Sequence, residues 1–273
     1  MNKDTLVVTL GDMHSGSNYA LFPDRFVEFT QSKGNHHPNS EQLNIWKHFE
    51  KCAKEIVNAR RDKKLIIVHN GDAIEGSRYG VAHVCTVLEK EQIDIHTELM
   101  VYFKKAVDYR RGDELYYTTG TEVHTNMGED VIGKELGAVQ ADNNLYAFDE
   151  LKLTINGKRI FWTHHGAGSG DGPNKGNAFR NWLRNRFYEA KDEGRELPNM
   201  IITSHTHDPY WQIYIGRYEG NYFSVRGLIS PSWQQKTRYA HKRAPFKLNK
   251  IGLQYFTIYK DGAISDPVEL IMI

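Results

Sequence analysis

The sequence predicts an α/β fold of packed layers, and three observations predict it. Short apolar runs alternate with longer stretches whose apolar residues recur at helical spacing. Several of the short runs end abruptly in Gly-Asp or in histidine, as buried strands do where they enter loops. Asn156-Gly157 sits between two strand-like runs in a β-rich second half, the signal of a tight hairpin.

Residues 5–10 read as a buried strand ending at Gly11-Asp12. Residues 41–60 read as a helix, because Leu43, Trp46, Phe49, Cys52 or Ala53, Ile56 and Val57 recur on one face. A second buried strand, 65–68, also runs into Gly-Asp, at Gly71-Asp72. Helix is expected over 87–110, a third strand over 114–119 ending at Gly120, and a helix over 129–139. Residues 151–155 and 159–163 form the arms of the hairpin, and the second arm ends at His164-His165-Gly166. A glycine-rich loop over 166–176 leads into a helix over 178–190, then a strand over 200–204 that enters His205-Thr206-His207. Strands follow at 210–215, 222–228, 253–259 and 267–272, the last two as a terminal antiparallel pair. No repeat, low-complexity tract or Pro/Ser-rich linker divides the chain, so 1–273 reads as one domain.

With 35 Lys and Arg against 34 Asp and Glu, the chain as a whole does not seek polyanions. Its two cysteines, Cys52 and Cys85, build neither a disulfide framework nor a four-thiolate zinc site. No N-terminal stretch has the order of a signal peptide, and no apolar run approaches the ~18 residues of a membrane span. A cytoplasmic protein with no membrane partner is therefore expected.

Five of the expected strands end in ligand-type residues: Asp12, Asp72, the 120–124 loop, His164 and His205. In open α/β sheets, sites gather beyond the carboxyl ends of strands, so this placement brings five distant segments together. The mixture of carboxylate and imidazole suits borderline divalent metals. Asp-x-His is expected roughly 0.8 times by chance in this composition, so context must separate signal from noise. Asp94-Ile95-His96 lies within an expected helix, where i and i+2 side chains diverge. Asp12-Met13-His14 and His205-Thr206-His207 instead follow strands, where i and i+2 share a face.

Gly11-Asp12-Met13-His14, Gly71-Asp72, 120–124, His164-His165-Gly166 and Ser204-His205-Thr206-His207 together resemble the calcineurin-like metallophosphoesterase signature. The matching motifs span about three quarters of the chain, in the family's order. The resemblance implies a four-layer α/β sandwich of two mixed β-sheets flanked by helices, with the metal site at strand C-terminal ends. It also implies two divalent metal ions, Mn foremost and Fe, Zn, Mg or Ni as alternatives. Carried over by position, Asp12, His14 and His207 would hold one metal, His164 and His205 the other, and Asp72 would bridge them. A hydroxide bridging the metals would attack a phosphate ester, with His124 stabilising the transition state or protonating the leaving oxygen.

One motif departs from the family's Gly-Asn-His: here the run is Gly120-Thr121-Glu122-Val123-His124. Thr121, Glu122 or Asn126 replaces the missing asparagine oxygen, and Glu122 is the strongest of these as a ligand because it is charged. Ser204 stands where the family has glycine. His69 reads as a core or supporting histidine, and His165 as the weaker alternative to His164. His36, His37, His48, His83 and His241 read as surface residues, and Trp46 and Phe49 as core.

Between residues 220 and 260 lie eight Lys or Arg and no Asp or Glu, interleaved with aromatics. Arg238, Lys242 and Arg243 within the 231–250 loop, which reads as a basic loop or lid, are the expected substrate contacts. Lys175, Arg180, Arg184 and Arg186 form a second basic run. Basic, aromatic surface is what phosphate tracking and base stacking use. The leading expectation is a phosphodiesterase or nuclease acting on a phosphate ester, with DNA or RNA as partner. A phosphomonoesterase acting on protein or small molecules is the alternative, and a non-catalytic binding module with a retained fold is a third reading.

Overall fold

The computed structural model describes residues 3–77, 82–125, 127–237, 242, 248 and 250–273. Its first main sheet contains β1 (Thr5–Leu10), β4 (Lys64–Asn70), β5 (Glu114–Thr118), β6 (Ala147–Phe148), β12 (Ile251–Ile258) and β13 (Val268–Met272). Their order is β13-β12-β1-β4-β5-β6, with β1, β4, β5 and β6 mutually parallel and β12 antiparallel to both its neighbours, β1 and β13. The second sheet contains β7 (Leu151–Ile155), β8 (Lys158–Trp162), β9 (Met200–Thr203), β10 (Tyr210–Tyr218) and β11 (Asn221–Ile229), ordered β10-β11-β9-β8-β7. β2 (Val27–Glu28) and β3 (Asn35–His36) make a separate short ribbon.

Strand alternation distributes the core over three interfaces. Leu6, Val8 and Leu10 of β1 and Leu65 and Ile67 of β4 face one side. There they meet α1 (Ser40–Arg60), α2 (Glu89–Ala106) and α4 (Gly128–Leu136) through Phe49, Phe103 and Ile132. Val7, Ile66 and Val68 face the other side and pack between the sheets on Trp162, Met200, Ile202 and Leu228. α5 (Asn177–Asp192) covers the second sheet's outer face through Phe179, Leu183 and Phe187. The result is the expected four-layer sandwich. Each fully buried aliphatic or aromatic side chain contributes about 1.5–3 kcal/mol.

Local chemistry sets most helix ends. Asn39 caps α1 by accepting from the backbone N–H of Glu41 and Gln42, while Gln42 accepts from the Asn39 N–H in return. Ile45 rather than Val57 completes the buried face; Val57 is exposed. α2 is shorter than 87–110 at both ends. It starts after Leu88, and beyond Ala106 Asp108 turns left-handed (φ 54°), which a continuing helix forbids. Elements the sequence hides are β2, β3, β6 and a four-residue helical turn, α3 (Glu122–Thr125), all too short for a period to register. His36, His48 and His83 are half-buried rather than on the surface, and His241 lies outside the described residues.

Asp94-Ile95-His96 diverges as helical geometry requires: Asp94 is paired with Lys90 on the surface while His96 is buried. The Ala73 carbonyl lies 3.0 Å from His96 Nδ1 and can only accept, so Nδ1 carries the proton. The Tyr117 hydroxyl, 3.1 Å away, then donates to Nε2. Burial holds the imidazole down to a pKa of about 3. Between the ordinary value of 6.5 and about 3, the unfolded chain binds a proton here that the native protein refuses. Acidification through that window should cost about 1.4 kcal/mol per pH unit, a contribution fully present above it. Denaturant unfolding at several pH values is expected to show His96→Gln flattening the acid limb by one proton's slope. Parallel limbs in the two proteins would contradict the assignment.

Candidate metal centre

The ends of β1, β4, β8 and β9 converge on one side of the two sheets, and the backbone there is unusual. Asp12 (φ 48°), His14 (44°), Asp72 (51°), His205 (66°) and His207 (52°) all adopt the left-handed conformation. Each costs roughly 1–2 kcal/mol relative to the ordinary regions, and such strain concentrates at functional sites. Gly71 (φ 82°) explains one of the Gly-Asp pairs: a Cβ there would lie 2.3 Å from His164 Nδ1. Only glycine lets β4 turn this close beneath His164.

The side chains form two adjoining groups. His207 Nε2 lies 3.2 Å from Asp12 Oδ1 and 3.3 Å from His14 Nε2. His164 Nε2 lies 3.1 Å from Asp72 Oδ2, and His205 Nδ1 lies 4.0 Å from the same oxygen. Asp72 Oδ2 is also 3.8 Å from His14 Nε2, so its carboxylate faces both groups. The Asp12 carboxylate accepts from the His205 backbone N–H at 3.1 Å, which ties the first strand's end to the ninth's. His164 Nδ1 donates to the Asn70 carbonyl at 2.8 Å, leaving Nε2 as the ligand nitrogen.

Electrostatics show which charge the donor set favours. Burial would raise Asp12 and Asp72, yet both carboxyls are held below their ordinary value, Asp12 chiefly by His207 and Asp72 by His164 and His205. Burial would lower His14 and His164, yet both are pushed up to about 9, by Glu75 and Asp72 respectively together with Asp12. Left to themselves, these groups gather positive charge in a buried place. Divalent cations satisfy the same demand while the imidazoles lose their protons. The donors fit as well: Asp12, His14 and His207, and Asp12, Asp72 and His164, each place their ligand atoms within 4.8 Å of one another. Two imidazole nitrogens on one tetrahedral ion at 2.0–2.1 Å stand about 3.3 Å apart, the His14–His207 separation.

The structure thus brings Asp12, His14, Asp72, His164, His205 and His207 together. His124 sits at the edge, its ring 4.9 Å from that of His14 and its Nδ1 donating to the Glu75 carbonyl at 2.7 Å. Burial and the charge of His14 keep its pKa low. His165 is more exposed than His164 but lies 4.6 Å, ring to ring, from His205. His69 is buried in the core on Tyr117 and takes no part.

Glu122 is the expectation that geometry corrects. It is exposed and belongs to none of the ligand groups among the described residues, because the α3 turn carries it outward. Of Thr121 and Glu122, it is Thr121 that reaches Asp72. Its N–H donates to Asp72 Oδ1 at 2.6 Å, and its hydroxyl lies 3.3 Å from Asp72 Oδ2 and 3.4 Å from His164 Nε2 and His205 Nδ1. Asn126, Arg238 and Arg243 lie outside the described residues, and Lys242 is exposed.

Sequence reasoning missed Glu75. Its buried carboxylate stands 3.0 Å from His14 Nδ1 and accepts from Gln234 Nε2 at 2.6 Å. It fixes the His14 ring and strengthens Nε2 as a donor to metal. The signal available was a carboxylate three residues beyond Asp72, on an irregular segment. Glu75→Gln is expected to weaken Mn affinity about 10- to 100-fold with little change in fold. Unchanged affinity in a calorimetric titration would remove Glu75 from the centre.

No family model matches the chain, and no curated protein does. Solved structures similar to it include Thermotoga maritima protein TM1076, at 14% identity and TM-score 0.37, covering 97% of this chain and 99% of that one. The Thermus thermophilus sulfate thiohydrolase SoxB shares 9% identity at TM-score 0.40, with 100% and 57% covered. The 5′-nucleotidase of Candida albicans shares 11% at TM-score 0.37, with 96% and 48% covered. The chain spans about half the length of these last two.

Proposed function

We propose that this chain is a calcineurin-like metallophosphoesterase that hydrolyses phosphodiesters, with nucleic acid or a nucleotide as substrate. The observation that carries the reading is the buried Asp72 carboxylate facing two histidine groups at strand ends held in left-handed backbone. Asp12, His14 and His207 would hold one divalent cation, His164 and His205 a second, and Asp72 both. Such a pair, when bound, polarises a phosphoryl oxygen and acidifies the attacking water. Manganese suits the mixed carboxylate and imidazole set, as do iron and zinc.

The protein's own groups do the rest. Asn70 and Glu75 orient His164 and His14 so that a nitrogen of each faces the centre. Thr121 holds Asp72 by two hydrogen bonds, which fixes the direction of its carboxylate. His124, beside His14, is placed to stabilise the charged transition state or to deliver a proton to the leaving oxygen. The diester preference rests on the basic runs. Lys175 from the glycine loop and Lys250 from the basic stretch both approach Asp208, at 3.9 and 3.8 Å, and Asp208 directly follows His207. Cations from both runs therefore meet at the residue after His207, and a polyanion reaching there would gain from them.

The test is Mn-dependent hydrolysis of a p-nitrophenyl diester and its matching monoester by wild type and His124→Ala. Diester preference, reduced at least about 100-fold in kcat by the substitution, is the expected result. Monoester preference would make the protein a phosphatase. No turnover of either ester with metal bound would leave the binding-module reading.

A further inference from the structure

The second sheet's outer face is covered unevenly. α5 packs chiefly on β10 and β11, and the outer face of β7 and β8 is left as the floor of a cavity of about 260 Å³. Lys152, Phe161 and Ile201 stand side by side across β7, β8 and β9 on that floor. Trp182 of α5 forms a wall, its ring parallel to that of Phe179 within 9°. Charges at the rim are already matched: Lys152 pairs with Glu150 at 2.8 Å and Arg186 with Glu189 at 2.6 Å. The Lys152 ammonium also stands 5.5 Å over the Phe161 ring, so the flat aromatic surface left to a ligand is that of Trp182.

One end of the cavity adjoins the metal centre through His165. His165 lines the cavity, and its ring lies 4.9 Å from His164 and 4.6 Å from His205. The imidazoles of these three also form a group able to hold an ion. A ring seated against Trp182 would thus belong to a molecule whose other end reaches His165 beside the cluster. The volume is below the roughly 300 Å³ at which pockets hold whole drug-sized ligands, and it suits a single ring system.

We propose that this cavity is a base subsite: it takes the planar nucleobase of a nucleotide whose phosphate lies at the cluster. The assignment rests on the phosphodiesterase reading above and deepens it by giving the base of its nucleotide substrate a place. Every base has a π-face, so stacking on an aromatic side chain tolerates any base. The subsite therefore selects nucleotides over other phosphate esters without reading sequence.

Two measurements test it. In steady-state kinetics, Trp182→Ala should lower kcat/KM about tenfold for thymidine 5′-(p-nitrophenyl phosphate) and leave methyl p-nitrophenyl phosphate unchanged. Trp182→Phe should restore most of the loss. An equal fall with both esters, or none with either, would overturn the subsite. In calorimetric titrations of the Mn-loaded protein, adenosine monophosphate should bind more tightly than ribose 5-phosphate, and Trp182→Ala should abolish the difference. Equal affinities in the wild type would contradict the proposal, as would tighter binding of phosphotyrosine, which would give the cavity to a tyrosyl ring. If neither ester is hydrolysed, the phosphodiesterase reading fails, and the titrations alone decide the subsite.

Discussion

Replacing Asp72 with alanine is expected to eliminate the metal pair and lower kcat/KM by more than about 100-fold, since losing even a supporting residue costs 10–100-fold. Asp72 is the carboxylate that faces both groups, 3.1 Å from His164, 4.0 Å from His205 and 3.8 Å from His14. Its removal leaves buried imidazoles without the charge that raises the pKa of His164 and helps to raise that of His14. Breaking such a buried pair costs about 3–5 kcal/mol, so Asp72→Asn is the companion variant that keeps the shape and removes the charge. Both should fold by circular dichroism, and elemental analysis should find less than one metal per chain. Asp72→Asn retaining two metals and near wild-type turnover would show that the carboxylate bridges nothing.

The second large effect is expected at Gly120. A Cβ there would lie 2.2 Å from the Asp72 backbone nitrogen and 2.4 Å from Asp72 Oδ1. The backbone nitrogen cannot swing away, so Gly120→Ala must push the β5 end off the β4 end. Overpacking of this kind costs about 1–3 kcal/mol or more. It also withdraws the Thr121 N–H from Asp72, so stability and metal affinity should fall together. Gly112 is the control: its φ is 96°, but a Cβ there meets nothing within 4 Å. Gly112→Ala should pay only backbone strain of about 1–2 kcal/mol and leave metal binding intact. Thermal unfolding with and without Mn separates the two. Equal behaviour of the two variants would mean that the close approach at Gly120 is not what holds the centre.

Much of this architecture was legible because buried strands announce themselves. Residues 5–10 and 151–155 coincide with β1 and β7, and the terminal pair is antiparallel as the spacing of its apolar runs suggests. The six carboxylates and imidazoles stand within four residues of a strand's end, so the same buried runs point to them. What stayed hidden depends on contacts between segments. Glu122 outranks Thr121 in ligand chemistry, but the α3 turn decides which one reaches Asp72. Glu75 lies on an irregular segment whose meeting with His14 no periodicity foretells. Phe161 alternates as a core residue should, and only the placement of α5 leaves its face as a cavity floor.

The most direct test of the central claim is electron paramagnetic resonance of the wild type during Mn(II) titration. Two ions sharing the Asp72 carboxylate should give a stoichiometry of two per chain and an exchange-coupled spectrum. Asp72→Asn should reduce it to the six-line pattern of isolated ions. An uncoupled spectrum in the wild type, or one ion per chain at saturation, would contradict the shared centre and the hydrolytic chemistry proposed from it.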